Sequence, residues 1–358
     1  MEEEQFTPAR LSELFKPSVE YRILSSSELD EGYFDQQYAI TDLMVEGQTM
    51  IVAGGRKSLK TTIAIAMAIA LATGTSLLGH FPVRRRYRVA IMSGESGIST
   101  LQETARRICH SVGVCLSEID NLFWTADLPR FGDQSHLLAM HRFLTEKSVE
   151  MLFIDPVYLA MPATEPGNLF QQGLLLSGIT ELCQSLGITL VLLHHLRKNR
   201  GPAQSPPELD EIAWSGFAEW CRQWCLLGRR ETYTPGTGKH QLWLSAGGSA
   251  GHSGLFAVDI EEGKYDGKTP RYWQVSIASG AQANEQNRAA RAQSRLEKAK
   301  ERLLDAARQN PGKTISVLKE QASLSGTIAR KALDQLLASG IVRVKKDKNK
   351  NLVFLENA

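Results

Sequence analysis

Residues 54–61 read GGRKSLKT, directly after the apolar run Met50, Ile51, Val52, Ala53 and directly before a helix-like stretch at 63–72. A strand, a glycine-opened loop and a Lys-Thr pair on a helix N-terminus form a phosphate cradle, because the backbone amides there point at an anion. Set against G-x-x-x-x-G-K-[ST], Gly54 stands first, Lys60 is the phosphate lysine and Thr61 the hydroxyl for magnesium. The candidate nucleotide-binding residues are therefore Gly54, Gly55, Arg56, Lys57, Ser58, Leu59, Lys60, Thr61 and Thr62. Leu59 replaces the second glycine, which normally lets the loop approach phosphate without a Cβ in the way. The leucine must turn its side chain away, into the core. Intact Lys60, Thr61, Glu95 and Asp155 argue against a decayed site.

Three later segments complete the set. Residues 88–92 (RVAIM) predict a strand that ends in Ser93-Gly94-Glu95-Ser96. Residues 151–155 (MLFID) predict a buried strand closed by an acid, where an aspartate would hold the magnesium shell. Residues 188–193 (ITLVLL) lead into His194-His195. These strands and the one before the glycine loop would bring their ends to one carboxyl edge, where open α/β sheets bind ligands. The chemistry is hydrolysis of a nucleoside triphosphate. Lys60 holds the γ-phosphate charge, Thr61 and Asp155 hold Mg²⁺, and Glu95 orients or deprotonates the attacking water. Adjacent strand residues alternate faces, so one of His194 and His195 can point at phosphate. No Cys or further His accompanies them for zinc. Trp214, Trp220, Trp224 and Trp243 lie in apolar surroundings and are expected to pack between elements.

At 358 residues and 42% hydrophobic content the chain can hold two domains and at least one large core. Its five cysteines, Cys109, Cys115, Cys183, Cys221 and Cys225, include no C-x-x-C pair and are expected mostly as buried reduced thiols of a cytoplasmic protein. The N-terminus, MEEEQFTPAR, is acidic and polar, and no apolar run approaches the roughly 18 residues of a membrane span, so neither export nor anchoring is expected. The net charge of +2 hides a split: residues 288–350 hold 16 Lys and Arg against 6 Asp and Glu, whereas residues 1–287 carry a net −7. A polyanion partner for the C-terminal fifth follows.

Along the chain, residues 1–35 are expected as a loosely structured lead-in and 36–277 as the nucleotide-binding domain, with a hairpin or short meander around 241–260. Residues 278–295 are expected as a linker, of which 282–294, rich in Ala, Gln, Asn and Arg without apolar periodicity, is open to a helical form. In 296–358 three helix faces are legible: Leu296, Leu303, Leu304 and Ala307; then Val317, Leu318 and Ala322; then Ile328, Leu333, Leu336 and Leu337. Two strands at 341–344 and 352–355 flank a basic tip. Helix-turn-helix plus basic hairpin resembles a winged helix. In that arrangement Thr327, Arg330 and Lys331 would enter a major groove, and Lys345, Lys346, Lys348 and Lys350 would follow phosphates.

The order of residues 54–61, Glu95, Asp155 and the His-His of LVLLHHLRK is similar to ATPases of the RecA/DnaB superfamily, and within it to RepA-type plasmid replicative helicases and their AAA-like relatives, over residues 41–260. The resemblance implies an α/β fold: a RecA-like P-loop NTPase core with a mostly parallel central sheet, plus a small α+β winged-helix domain. It implies ATP and Mg²⁺, a catalytic Glu95, and a γ-phosphate sensor at His194 or His195. It also implies ring hexamers in which a neighbour's arginine completes the site. Basic residues follow a particular strand in DnaB-like members, but here Ala246-Gly247-Gly248 stand in that place, which leaves Arg222, Arg229 and Arg230 as candidates and Lys239 as a weaker one. The function expected is a DNA-associated motor, a helicase or helicase loader in replication, acting on single strands through a ring or on duplex through the winged helix. The alternatives are a DNA-binding regulator with an ATP-controlled assembly switch that does not translocate, and an accessory protein that docks through its winged helix.

Overall fold

The computed structural model describes residues 23–161, 168–197, 204–264, 266–347 and 350–355. It forms two compact units, Met1–Gln37 and Tyr38–Ala358. The described part of the first unit holds one short helix, α1 (Ser26–Glu31), started by a capping box between Ser25 and Glu28 and burying none of its residues. Most of the expected lead-in, residues 1–22, lies outside the described residues.

In the second unit, β1 (Tyr38–Ile40) and β2 (Met44–Val45) pair antiparallel ahead of the main sheet. Strands β3 (Met50–Gly54), β4 (Val89–Ser93) and β6 (Met151–Asp155) are buried along their whole length, as expected of strands covered on both faces. With β5 (Leu122–Thr125), β7 (Thr189–His195) and β8 (Gln223–Arg229) they form a parallel array in the order β8-β3-β7-β6-β4-β5. One strand, β7, thus separates the strand that opens the glycine loop from the one that ends in Asp155. Beyond β8 the sheet turns antiparallel through β9 (Lys239–Gly248), β10 (Ser253–Glu261) and β11 (Gln274–Ser279), the hairpin expected from sequence with one further strand, β11, added beyond it.

Helix α2 (Lys60–Thr73) buries ten consecutive residues, Ile63 to Ala72. A helix apolar all round must be enclosed. The sheet covers one side, α3 (Ile98–Ser111) another, and together they make the first core. The opposite sheet face is covered by α4 (Gln134–Glu146), α5 (Val157–Ala160), α6 (Leu169–Ser185) and α7 (Ser215–Trp220), which build the second. Trp214, Trp220 and Trp224 pack against that core and Trp243 is buried, so the tryptophans do serve packing. All five cysteines are free; four are buried and Cys115 is exposed.

Residues 278–295 are not a break in the structure. They finish β11 and enter a single 30-residue helix, α8 (Gly280–Gln309), opened by a capping box of Ser279 with Gln282. Ala, Gln and Arg favour helix without any apolar stripe, which is why periodicity was silent there; Ala283 anchors the start by packing on Trp243 and Ala257. The first of the three helix faces is therefore the far end of this helix. Ala299, Leu303 and Ala307 meet α9 (Ile315–Gln321), α10 (Gly326–Ala338) and a three-stranded antiparallel sheet of β12 (Lys313–Thr314), β14 (Lys350–Leu355) and β13 (Val342–Asp347) in a separate core. Val317, placed by periodicity on the same face as Leu318 and Ala322, is 37% exposed: adjacent helix residues lie about 100° apart, and the buried stripe runs through Leu318 and Ala322. No described helix is long and apolar enough to cross a membrane.

Candidate active site

The loop after β3 is shaped by crowding at its first residue. A Cβ on Gly54 would lie 2.4 Å from Ser58 Oγ and 2.9 Å from the Leu227 carbonyl, so no other residue fits. The chain then turns through Lys57 (φ 56) and Leu59 (φ 61, ψ 26), both in left-handed backbone that costs a side-chain-bearing residue about 1–3 kcal/mol. Leu59 meets that cost in the manner its sequence requires: its side chain packs against the first core. The Gly55 carbonyl accepts from Ser58 Oγ at 2.8 Å and Lys60 Nζ at 3.2 Å. Leu59 offers α2 no side-chain cap, so the amides of Lys60, Thr61 and Thr62 open the helix uncapped, as an anion site needs. Arg56 and Lys57 are exposed, while Lys60, Thr61 and Thr62 are half-buried.

Asp155, 3% exposed at the end of β6, accepts Thr61 Oγ1 at 2.8 Å and Ser93 Oγ at 3.2 Å. Ser93 stands in register beside it on β4. Burial pushes the Asp155 pKa up, against the pull of the two hydroxyls and Lys60. Burial likewise lowers the Lys60 pKa, opposed by Asp155 and Glu95. Glu95 is exposed on the turn after β4, and its charge reaches Lys60, Asp155, His195 and Tyr158. Ser93 and Tyr158 belong to no motif in the sequence: one closes a strand, and the other follows the Asp155 strand without a signature of its own. A hydroxyl and a carboxylate converging beside a phosphate cradle suit Mg²⁺, a hard cation that takes its remaining oxygens from phosphate and water. Among the described residues no group of three or more His, Cys, Asp and Glu could hold a metal on its own.

The histidines separate as alternation requires. His195 lies in register beside Gly54, half-buried, its ring 5.6 Å from that of Tyr158, and burial and then Lys60 lower its pKa. His194 turns into the second face instead. Its ring centroid is 4.3 Å from that of Phe217 and 5.6 Å from that of Trp214, and burial pushes its pKa down to about 3. A ring buried among aromatics is no phosphate ligand, so of the pair only His195 lies at the phosphate loop.

The arginines also part ways. Arg222 precedes β8 and sits at the opposite edge of the sheet from the glycine loop, since Gln223 is in register with Met50 and Leu227 with Gly54. Arg230 is buried, paired with Asp259 and 5.7 Å from the Trp243 ring centroid. Arg229 donates to the Lys57 carbonyl of its own phosphate loop. Lys239 is paired with Glu261 at 2.9 Å. Arg229 and Arg230 thus have partners within their own chain, which strand pairing decides and sequence spacing does not reveal. In the C-terminal domain Thr327, Arg330 and Lys331 are exposed on α10, Lys345 and Lys346 on β13 and Lys350 on β14; Lys348 lies outside the described residues.

A parallel sheet with a glycine loop, a lysine-threonine helix start and an aspartate one strand removed defines a P-loop nucleoside triphosphatase with a RecA-like core. Residues 20–201 match the AAA_25 family, an AAA domain, and the chain belongs to it. A search of the solved structures finds a KaiC-like protein from the hyperthermophilic archaeon Pyrococcus horikoshii OT3, 16% identical, with a TM-score of 0.43, covering 68% of this chain and 99% of that one. No curated protein matches.

Two outcomes follow from this geometry. Gly54→Ala must displace the Leu227 carbonyl or the loop, and should lower the stability of the ligand-free protein by about 1–3 kcal/mol. Gly55→Ala, whose Cβ would meet nothing within 4 Å, should leave it unchanged; urea titration of both variants checks this. The second outcome concerns His194, whose pKa falls from 6.5 unfolded to about 3 folded. Below about pH 6.5 the unfolded chain takes up a proton that the native state refuses, so stability falls with acidification through that window. His194→Gln should flatten that part of the pH dependence, read as the difference between urea midpoints at about pH 7 and about pH 4.5.

Proposed function

We propose that this chain hydrolyses ATP with Glu95 as the group that aims and deprotonates the attacking water, and that it couples turnover to DNA. The observation that carries the first half is the hydrogen bond of Thr61 Oγ1 to Asp155 Oδ2 at 2.8 Å, which joins the helix start of the phosphate loop to a strand end 94 residues away. Lys60 binds the β and γ phosphates, Thr61 and Asp155 hold Mg²⁺, and His195 reads the γ-phosphate. Bound there, Mg²⁺ supplies charge neutralisation for the transferring phosphoryl group. Glu95, exposed while the Asp155 carboxylate is buried, keeps access to solvent and hence to the nucleophile.

The second half is supported by the C-terminal domain, whose exposed Thr327, Arg330 and Lys331 on one helix and Lys345, Lys346 and Lys350 on the wing match the charge split of the chain. The reading is a helicase or helicase loader of DNA replication, assembled as a ring, most simply a hexamer, and working in the cytoplasm, where its free thiols would stay reduced. A second reading has its own support: a winged helix exposing these groups suits duplex contact, so a regulator whose assembly ATP controls would use the same parts without translocating. Unwinding of a forked duplex separates the two. A domain that binds no DNA even at low salt would instead be a protein-docking module.

Glu95→Gln should retain nucleotide binding while turnover drops by roughly two to four orders of magnitude. Normal hydrolysis by that variant would remove Glu95 from the mechanism. Replacing Lys345, Lys346 or Lys350 by Ala in the full chain should weaken DNA binding alike across sequences, each lost phosphate contact lowering the slope of log K against log salt by about 0.9 on duplex. Titrations at two or more salt concentrations give that slope directly.

A further inference from the structure

Without its second glycine, the phosphate loop keeps two side-chain-bearing residues in left-handed backbone, Lys57 and Leu59. Its inner turn is held by its own donors: Ser58 N at 3.3 Å, Ser58 Oγ at 2.8 Å and Lys60 Nζ at 3.2 Å all reach the Gly55 carbonyl. Its outer turn is held from outside. Arg229 Nη2 donates to the Lys57 carbonyl. In a trans peptide the C=O and the following N–H point in opposite directions. Drawing the Lys57 carbonyl outward therefore turns the Ser58 N–H inward to Gly55 and closes the turn.

The guanidinium is itself prepared for this task. Register beside Gly54 delivers the end of β8 to the loop. Arg229 lies over the Tyr233 ring, 4.5 Å from its centroid, and Tyr233 stacks on His240 at 5.3 Å and 16°. His240 Nε2 in turn reaches the buried Glu262 at 3.2 Å. A planar cation stacked on an anchored ring loses little further freedom when it bonds the loop.

We propose that Arg229 is a positioning residue acting in cis: it locks the outer turn of the phosphate loop in the shape that the second glycine would otherwise make accessible. The inference rests on the nucleotide site described above, and affinity tests it without any need for turnover. With the full-length protein, a fluorescent ATP analogue should bind Arg229→Ala about tenfold more weakly, the scale of one charged hydrogen bond. KM should rise by a similar factor while kcat stays within about threefold. Arg229→Lys, which can donate but has no planar face for Tyr233, should recover part of the affinity. In a Leu59→Gly background the loop adopts the left-handed turn freely, and the loss on Arg229→Ala should shrink to about twofold or less, a coupling that a merely structural arginine would not show. Mixing Arg229→Ala with Lys60→Ala subunits should restore nothing, because each site then lacks one of its own two residues.

Unchanged affinity with a turnover loss of about 10³ or more that mixing restores would overturn the proposal and make Arg229 a neighbour's arginine. Equal losses in the native and the Leu59→Gly backgrounds would also overturn it. If Arg229→Ala fails to fold, Tyr233→Leu, which removes the stacking ring and leaves the guanidinium, must weaken analogue binding in the same direction; no change there defeats the proposal.

Discussion

The nucleotide site depends on one buried carboxylate. Asp155 is taken almost wholly out of water at the end of a central strand, and a charge there is tolerable only with partners. Its partners come from distant parts of the chain: Thr61 from the helix after the glycine loop and Ser93 from the neighbouring strand. Together they fix where the start of α2 lies against the sheet edge. Lys60 and the uncapped amides of that helix follow from the same placement, since they are consecutive with Thr61.

A second buried charge cluster ties the far end of the sheet to α3. Glu262, just beyond β10, accepts Arg107 at 2.7 Å, Arg271 at 3.1 Å and His240 at 3.2 Å, and Arg107 also reaches Glu103 on α3 at 2.7 Å. Burial pushes the Glu262 pKa up, but His240 and the two guanidiniums more than offset it and leave it below the usual carboxylate range. Such a cluster adds little net stability over apolar packing, yet breaking one member leaves an unpaired buried charge at a cost of about 3–5 kcal/mol. Its consequence is geometric: α3, which begins just after Glu95, is joined to the same hairpin region that carries Tyr233 and His240 toward the phosphate loop. The two sides of the site are therefore not independent.

The C-terminal domain is joined to this core by a helix and not by a flexible tether. Ala283 near the start of α8 packs on β9 and β10, and Leu303 near its end lies in the C-terminal core. The helix is continuous between those anchors.

The sequence alone determined the order of the parallel strands' chemistry, because an apolar run buried on both faces followed by a polar turn has few other uses in an α/β fold. The glycine loop with Lys60 and Thr61 and the strand that ends in Asp155 were recognisable from type and spacing, as were the hairpin, the helix faces of the C-terminal domain apart from Val317, and the inward turn of Leu59. Tertiary structure decided what depends on which residues become neighbours across strands. It assigned the site-facing side to His195 and the core side to His194, placed Arg222 at the end of the sheet away from its own glycine loop, paired Arg230 with Asp259, and brought Arg229 onto its own loop. It also made one helix of the expected linker, where alanine and arginine propensity sufficed without a pattern. Local sequence carries periodicity and turn chemistry; register between strands that are far apart in the chain is set only when the whole sheet assembles.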